Sequence, residues 1–191
     1  MSFEMDSTAS APLVSPAFTG TPTAPTAAVA TSTTQLATTA FVQAALASDP
    51  GTTTNDAAAA GIVGEYIKTN VAVASHVSIT TATAKTIASI SLTAGDWDVR
   101  GTVAFDPSAG TLIVDMKGAI SPTDNTLPVL SDTAALVDVP LAPSAGVGAT
   151  VPVGTSRISL AAPATIYLVA QATFTVSTNF AYGFIAARRV R

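Results

Sequence analysis

The 191-residue chain has no cysteine, one histidine and one tryptophan, and only 10% of its residues are charged. Each shortage excludes something. Without cysteine there are neither disulfides nor thiolate metal ligands, and the redox compartment leaves no trace. Metal sites need several convergent His, Cys or carboxylate donors, and the single His76 offers little toward one. A typical domain carries ~25% charged residues. Here Thr, Ser and Asn must cover exposed surface, or part of that surface is buried against partner chains. The formal net charge is −4 and the sequence pI about 4.6. That argues against nucleic acid as a partner, because phosphate neutralisation needs clustered Lys and Arg. The one basic cluster is Arg188, Arg189 and Arg191. The opening residues 1–6 carry no positive n-region and no apolar h-region follows, so no secretory signal is expected. Residues 158–187 hold no charge but include Pro163, Gln171 and Asn179 and alternate with period two. They read as strands rather than as a membrane span, which needs ~20 predominantly apolar residues, and no membrane insertion is expected.

What is present divides the chain in two. Residues 1–30 are Ala/Thr/Ser-rich and punctuated by Pro12, Pro16, Pro22 and Pro25. Proline fixes φ, removes a backbone donor and biases its predecessor toward extended geometry. An extended arm follows, either a solvated tail or a docking segment; Leu13, Val14 and Phe18 are more apolar than a tail requires. A helix is expected next. Ser32-Thr33-Thr34-Gln35 fits a capping box, Leu36, Ala40, Phe41, Ala44 and Ala45 recur at helical spacing, and Asp49-Pro50-Gly51 stops the run. About four turns are marginal alone in water, so Leu36, Phe41 and Leu46 need a partner surface. Residues 52–64 read as helix or turn weakened by Gly61 and Gly64, with a strand from Glu65 onward.

From there period-two alternation dominates. Trp97, Val99, Val103 and Phe105 share one face. Leu112, Val114, Met116 and Ile120 share another, and Ile166, Leu168, Ala170, Ala172, Phe174 and Val176 a third. Such alternation means sheets with one buried face. Turns fall at 94–96, 106–110, 121–125 and 177–179. The expected fold is mainly β: an antiparallel β-sandwich, jelly-roll-like, over residues 65–191. The last strand departs from the rule. Phe180, Tyr182 and Phe184 point one way and Ala181, Gly183, Ile185 and Ala187 the other, so neither face is polar. Either that strand is covered on both sides or its second face packs on another subunit.

Chemistry-bearing constellations are scarce. A lone His76 near a strand end reads as a packing or surface residue, and no nucleophile elbow accompanies it. Asp96 and Asp98 flank Trp97 and could be written as a calcium turn; the stronger reading makes Asp96 a turn residue and puts Asp98 on the wet face. Trp97, in phase with Val99, Val103 and Phe105, reads as core rather than as a sugar platform. The terminal arginines read as partners for carboxylates of a neighbouring strand or subunit. No catalytic residue, metal site or cofactor is expected.

The run Ser15–Leu46, SPAFTGTPTAPTAAVATSTTQLATTAFVQAAL, resembles a segment of tailed-bacteriophage fibre and tail-associated proteins. It covers about a sixth of the chain. The spacer Ala28–Ser32 departs from the Gly-Thr-Asn of that pattern, which would loosen the turn before the helix. Gly64-Glu65-Tyr66-Ile67, residues 91–99 and the ending 181–191 resemble β-domains of small phage fibre or decoration proteins. The family carries no catalytic residues to transfer. The resemblance implies a homotrimer on the virion exterior with three parts. An anchoring arm (1–30) would use Leu13, Val14, Pro16 and Phe18 to hold a capsid or tail protein. A helical neck (31–64) would bring Leu36, Phe41 and Leu46 together about the trimer axis, and a β-sandwich head (65–191) would project. Lacking a long shaft, the chain fits a head fibre or capsid-decorating protein. The alternatives are a tail-fibre adhesin that binds host surface glycan and a depolymerase fragment.

Overall fold

The structure is a computed structural model that describes residues 20–28, 31–47, 56–129 and 135–191. The chain separates into two units, residues 1–55 and 56–191.

In the first unit, residues 21–28 form no regular element, as their proline and threonine content dictates. One helix follows, α1 (Thr39–Ala47). It starts seven residues after the expected Ser32 cap. Thr38 caps it instead: its Oγ1 accepts from the Phe41 N–H at 3.2 Å and its carbonyl from Val42 at 3.1 Å, the pattern of a threonine N-cap. Thr33 meanwhile accepts the Gln35 N–H through Oγ1 at 3.5 Å, so a side chain competes with helical bonding upstream. The capping-box reading at Ser32 is corrected, and α1 is only nine residues long.

Among the described residues the regular elements of the second unit are all strands apart from a 3-10 turn at Val73–Ser75. Its strands are β1 (Tyr66–Val71), β2 (Val77–Ile79), β3 (Lys85–Leu92), β4 (Gly95–Pro107), β5 (Leu112–Ser121), β6 (Ala135–Ala145), β7 (Thr150–Leu160), β8 (Ala164–Thr175) and β9 (Asn179–Arg189). The first sheet runs β1-β9-β4-β7, with β2 also pairing β9, and the second runs β3-β8-β5-β6. Every pairing is antiparallel. Apart from the β1–β2 and β5–β6 connections, each strand leads into the opposite sheet, which is the winding of a jelly roll. Pro152 on β7 and Pro140 and Pro143 on β6 sit on edge strands, where a missing donor can face solvent, and Pro107 closes β4 at its end.

Between the sheets lies one apolar core. Trp97, Val99 and Val103 of β4, Met116 and Ile120 of β5, Leu168 of β8 and Ile185 of β9 are fully buried within it. Gly118 of β5 faces Val103, Val151 and Val153 of the opposite sheet. The predicted inward faces of β4 and β8 are observed. Two details differ. A bulge between Ile113 and Asp115 shifts the phase of β5, so Ile113 is buried and Val114 exposed; a bulge resets which residues face inward. Val176 adopts φ +81° and is 83% exposed, because β8 has already ended at Thr175.

β9 lies at the centre of the first sheet, hydrogen-bonded to β1 and β2 on one side and β4 on the other. Gly183 makes the approach to β4 possible. Its φ is +146°, and a Cβ there would sit 2.0 Å from the Thr102 carbonyl oxygen. Only glycine fits such a backbone.

Candidate functional site

A polar cluster forms where the chain enters the sandwich, beside the last strand β9. A turn at 60–64 presents the Gly61 N–H to Glu65 Oε2 at 2.8 Å. The Gly64 N–H donates to the Arg189 carbonyl at 3.0 Å, and the Arg189 N–H to the Glu65 carbonyl at 2.9 Å. This ladder aligns the two side chains. Arg189 Nε donates to Glu65 Oε2 at 2.9 Å, both groups being buried. Nη1 donates to the Ala94 carbonyl at 2.9 Å and Nη2 to Thr93 Oγ1. The guanidinium lies 4.2 Å from the Trp97 ring centroid, while Trp97 Nε1 donates to the Thr93 carbonyl at 3.0 Å. Gly95 clears the space: with φ +136°, a Cβ there would lie 2.1 Å from Arg189 Nη1. The Gly61 N–H, with Arg189 opposing the burial cost, holds the Glu65 carboxyl below its ordinary range.

Asp96 continues the cluster. Its carboxylate accepts from Arg157 at 2.8 Å and pairs with Arg191 at 2.7 Å. The Ser159 hydroxyl, then Arg157 and Arg191, bring its pKa down to about 2. Two guanidiniums thus stand where a bound cation would have to sit. Asp98 is exposed, as its strand phase predicts, and two of the terminal arginines pair with carboxylates of their own chain.

A second cluster crosses β5 and β6. Lys117 pairs with Asp138 and lies 3.3 Å from Asp115. Burial, then the neighbouring Asp138, pushes the Asp115 carboxyl up; Asp138, bonded by Asp115 and Lys117, is pulled down. Of the two carboxyls, Asp115 is thus the one that takes up a proton first as pH falls.

His76 places Nδ1 3.1 Å from Asp106 Oδ2 and stacks on Phe180, centroids 4.1 Å apart and 7° from parallel. Among the described residues its partners are a carboxylate and a phenyl ring, and no hydroxyl nucleophile bonds to it. Phe180 belongs to the outer face of the first sheet. Asn179, Ala181, Ile185 and Ala187 are buried on the core side of β9, so Phe180, Tyr182 and Phe184 face outward. All three are half-buried. Lys68 Nζ sits 4.7 Å above the Phe184 ring.

Leu13, Val14, Pro16 and Phe18 lie outside the described residues. Leu36 precedes α1 rather than belonging to it and is 78% exposed. Phe41 lies on α1, half-buried. Leu46 is in α1, and its side chain lies outside the described residues. The sequence reading missed the Glu65–Arg189 pair, whose partners are 124 residues apart. The available signal was a glutamate directly after Gly61-Ile-Val-Gly64 and an arginine in phase with Ala181, Ile185 and Ala187.

No protein-family model matches the chain, and no curated protein does. Two solved structures of infectious bursal disease virus are similar to it in part. For the Gx strain the TM-score is 0.42 at 14% identity, over 66% of this chain and 32% of that one. For the Gt strain it is 0.34 at 16% identity, over 64% and 30%. The chain thus spans about a third of the length of the viral chains that it matches.

Proposed function

We propose that the chain is a non-enzymatic structural subunit of a bacteriophage virion, a short trimeric head fibre or capsid-decorating protein on the exterior surface. Residues 1–30 anchor it to a capsid or tail protein, and the jelly roll projects. One structural observation carries this reading. The ionic clusters of the sandwich are closed on themselves: Glu65 with Arg189, Asp96 with Arg157 and Arg191, Lys117 with Asp115 and Asp138. Such clusters hold a scaffold together; they do not poise an acid or a nucleophile toward a substrate. The fibre-like segment Ser15–Leu46, joined in sequence to this domain, supports the same reading.

The test is binding of labelled protein to purified phage particles. The full chain should decorate them. A variant lacking residues 1–30 should lose attachment while keeping a cooperative thermal transition. Undiminished binding by the truncated protein would overturn the anchoring role. Label confined to the tail tip, together with capture on bacterial polysaccharides, would favour the adhesin, and release of sugar would favour a depolymerase.

A further inference from the structure

The outer face of the first sheet has the composition of an interface. Its middle is an aromatic row, Phe180, Tyr182 and Phe184, on a strand with partners on both sides, so covering that row takes another layer. Ala104 lies beside Tyr182 and Thr102 beside Phe184, with Pro152 next to Thr102. No residue of this band is itself charged, and the one ammonium that reaches over it is that of Lys68, above the Phe184 ring. The other charges stand around it: Arg100 and Arg188 toward one end with Asp98, and Asp106 with His76 at the other. An apolar, aromatic centre within a charged rim is the anatomy of a protein–protein contact.

We propose that this face, centred on Tyr182 and Phe184, is the surface through which copies of this chain assemble. The proposal rests on the homotrimer reading and names the surface that reading requires. Two observations select a second copy as the occupant. First, the rim carries both signs. A partner of one charge would be matched by a rim of the other, whereas a surface that meets another copy of its own chain needs both. Second, the chain as a whole is poor in charge, as expected where surface is withdrawn from water by its own kind. A saccharide platform would present bare ring faces. Here the His76 ring covers Phe180 and Lys68 covers Phe184.

Sedimentation equilibrium of the full chain and of Tyr182→Glu and Phe184→Glu tests this. Both side chains face outward, so the variants should keep the β-sheet circular dichroism of the parent. The expected result is a trimeric parent and monomeric variants, with Val176→Glu on the exposed 176–178 turn as a trimeric control. A trimeric parent with folded, trimeric variants would overturn the inference and leave the trimer reading standing. A monomeric parent would overturn both. Should a glutamate variant fail to fold, the cysteine-free background provides a second measurement: Thr102→Cys labelled with pyrene maleimide. Excimer emission from the trimer would support convergence of this face. Monomer emission alone would refute it.

Discussion

Arg189 lays its guanidinium over the indole of Trp97, 4.2 Å from the ring centroid, and in the same position donates to the buried carboxylate of Glu65. Among the described residues, the most buried aromatic of the core and the most buried ion pair are therefore one packing unit. A desolvated cation–π contact contributes ~2 kcal/mol. Trp97 has no exposed surface, and truncating a buried Trp costs ~3–5 kcal/mol. Trp97→Ala should lower stability by that amount in urea unfolding followed by circular dichroism. A midpoint unchanged from the parent would refute the core assignment.

Removing one partner of a buried ion pair costs ~3–5 kcal/mol, because the other charge is left without compensation, whereas an apolar replacement of both is often close to neutral. Glu65→Met and Arg189→Met should each destabilise within that range. The double variant should lose less than the sum of the two. Strict additivity in denaturant midpoints would show that the pair is not coupled.

Asp96 gives the acid limb of stability its sign. Its carboxyl falls from 3.8 to about 2 in the folded protein. The folded state thus binds fewer protons than the unfolded one in that window, and stability rises with pH across it. The contribution is fully present above pH 3.8 and is lost as pH falls toward 2. Thermal melts of Asp96→Asn should show a shallower acid limb than the parent. Parallel curves would mean that Arg157 and Arg191 do not hold this carboxylate when folded.

How much of this was legible beforehand follows from the range of each interaction. Alternation reports the nearest neighbours along one strand, so the inward faces of β4 and β8 could be read directly. The same rule misplaced Val114, because the bulge beside it depends on pairing with β6 and β8 rather than on local sequence. The capping-box reading misplaced the start of α1, because Ser32, Thr33, Thr34 and Thr38 are similar caps and the competition among them is a matter of small energies. The apolar second face of β9 was visible as an anomaly. That its aromatic side faces outward depends on the strand order, which no local pattern carries. The Glu65–Arg189 pair was invisible for the same reason.

Gly183 is fixed by space as well as by angle. A Cβ at φ +146° would meet the Thr102 carbonyl oxygen at 2.0 Å, a backbone atom that cannot swing aside. Gly183→Ala should cost at least the ~1–3 kcal/mol of an overpacked core. Gly154 on β7 has open space at its Cβ position and no positive φ. Gly154→Ala should be neutral or stabilising by ~0.4–1 kcal/mol through the unfolded state. Equal melting temperatures for the two variants would show that β9 can move away from β4.

Asp115 carries the opposite sign from Asp96. Burial, then the adjacent Asp138, raises its carboxyl above 3.8, and its Oδ1 is buried without a partner among the described residues. The folded state therefore binds more protons than the unfolded one between 3.8 and the raised value, and stability falls as pH rises through that interval. Asparagine keeps the shape and can donate a hydrogen bond toward Asp138, but carries no charge to desolvate. Asp115→Asn should match the parent below pH 3.8 and equal or exceed it at pH 7, with the two stability curves separating between. The opposing influence is Lys117, 3.3 Å away, which favours the ionised form. If the variant is less stable than the parent at pH 7, the attraction of Lys117 outweighs the cost of burial and the Asp115 carboxyl is not raised.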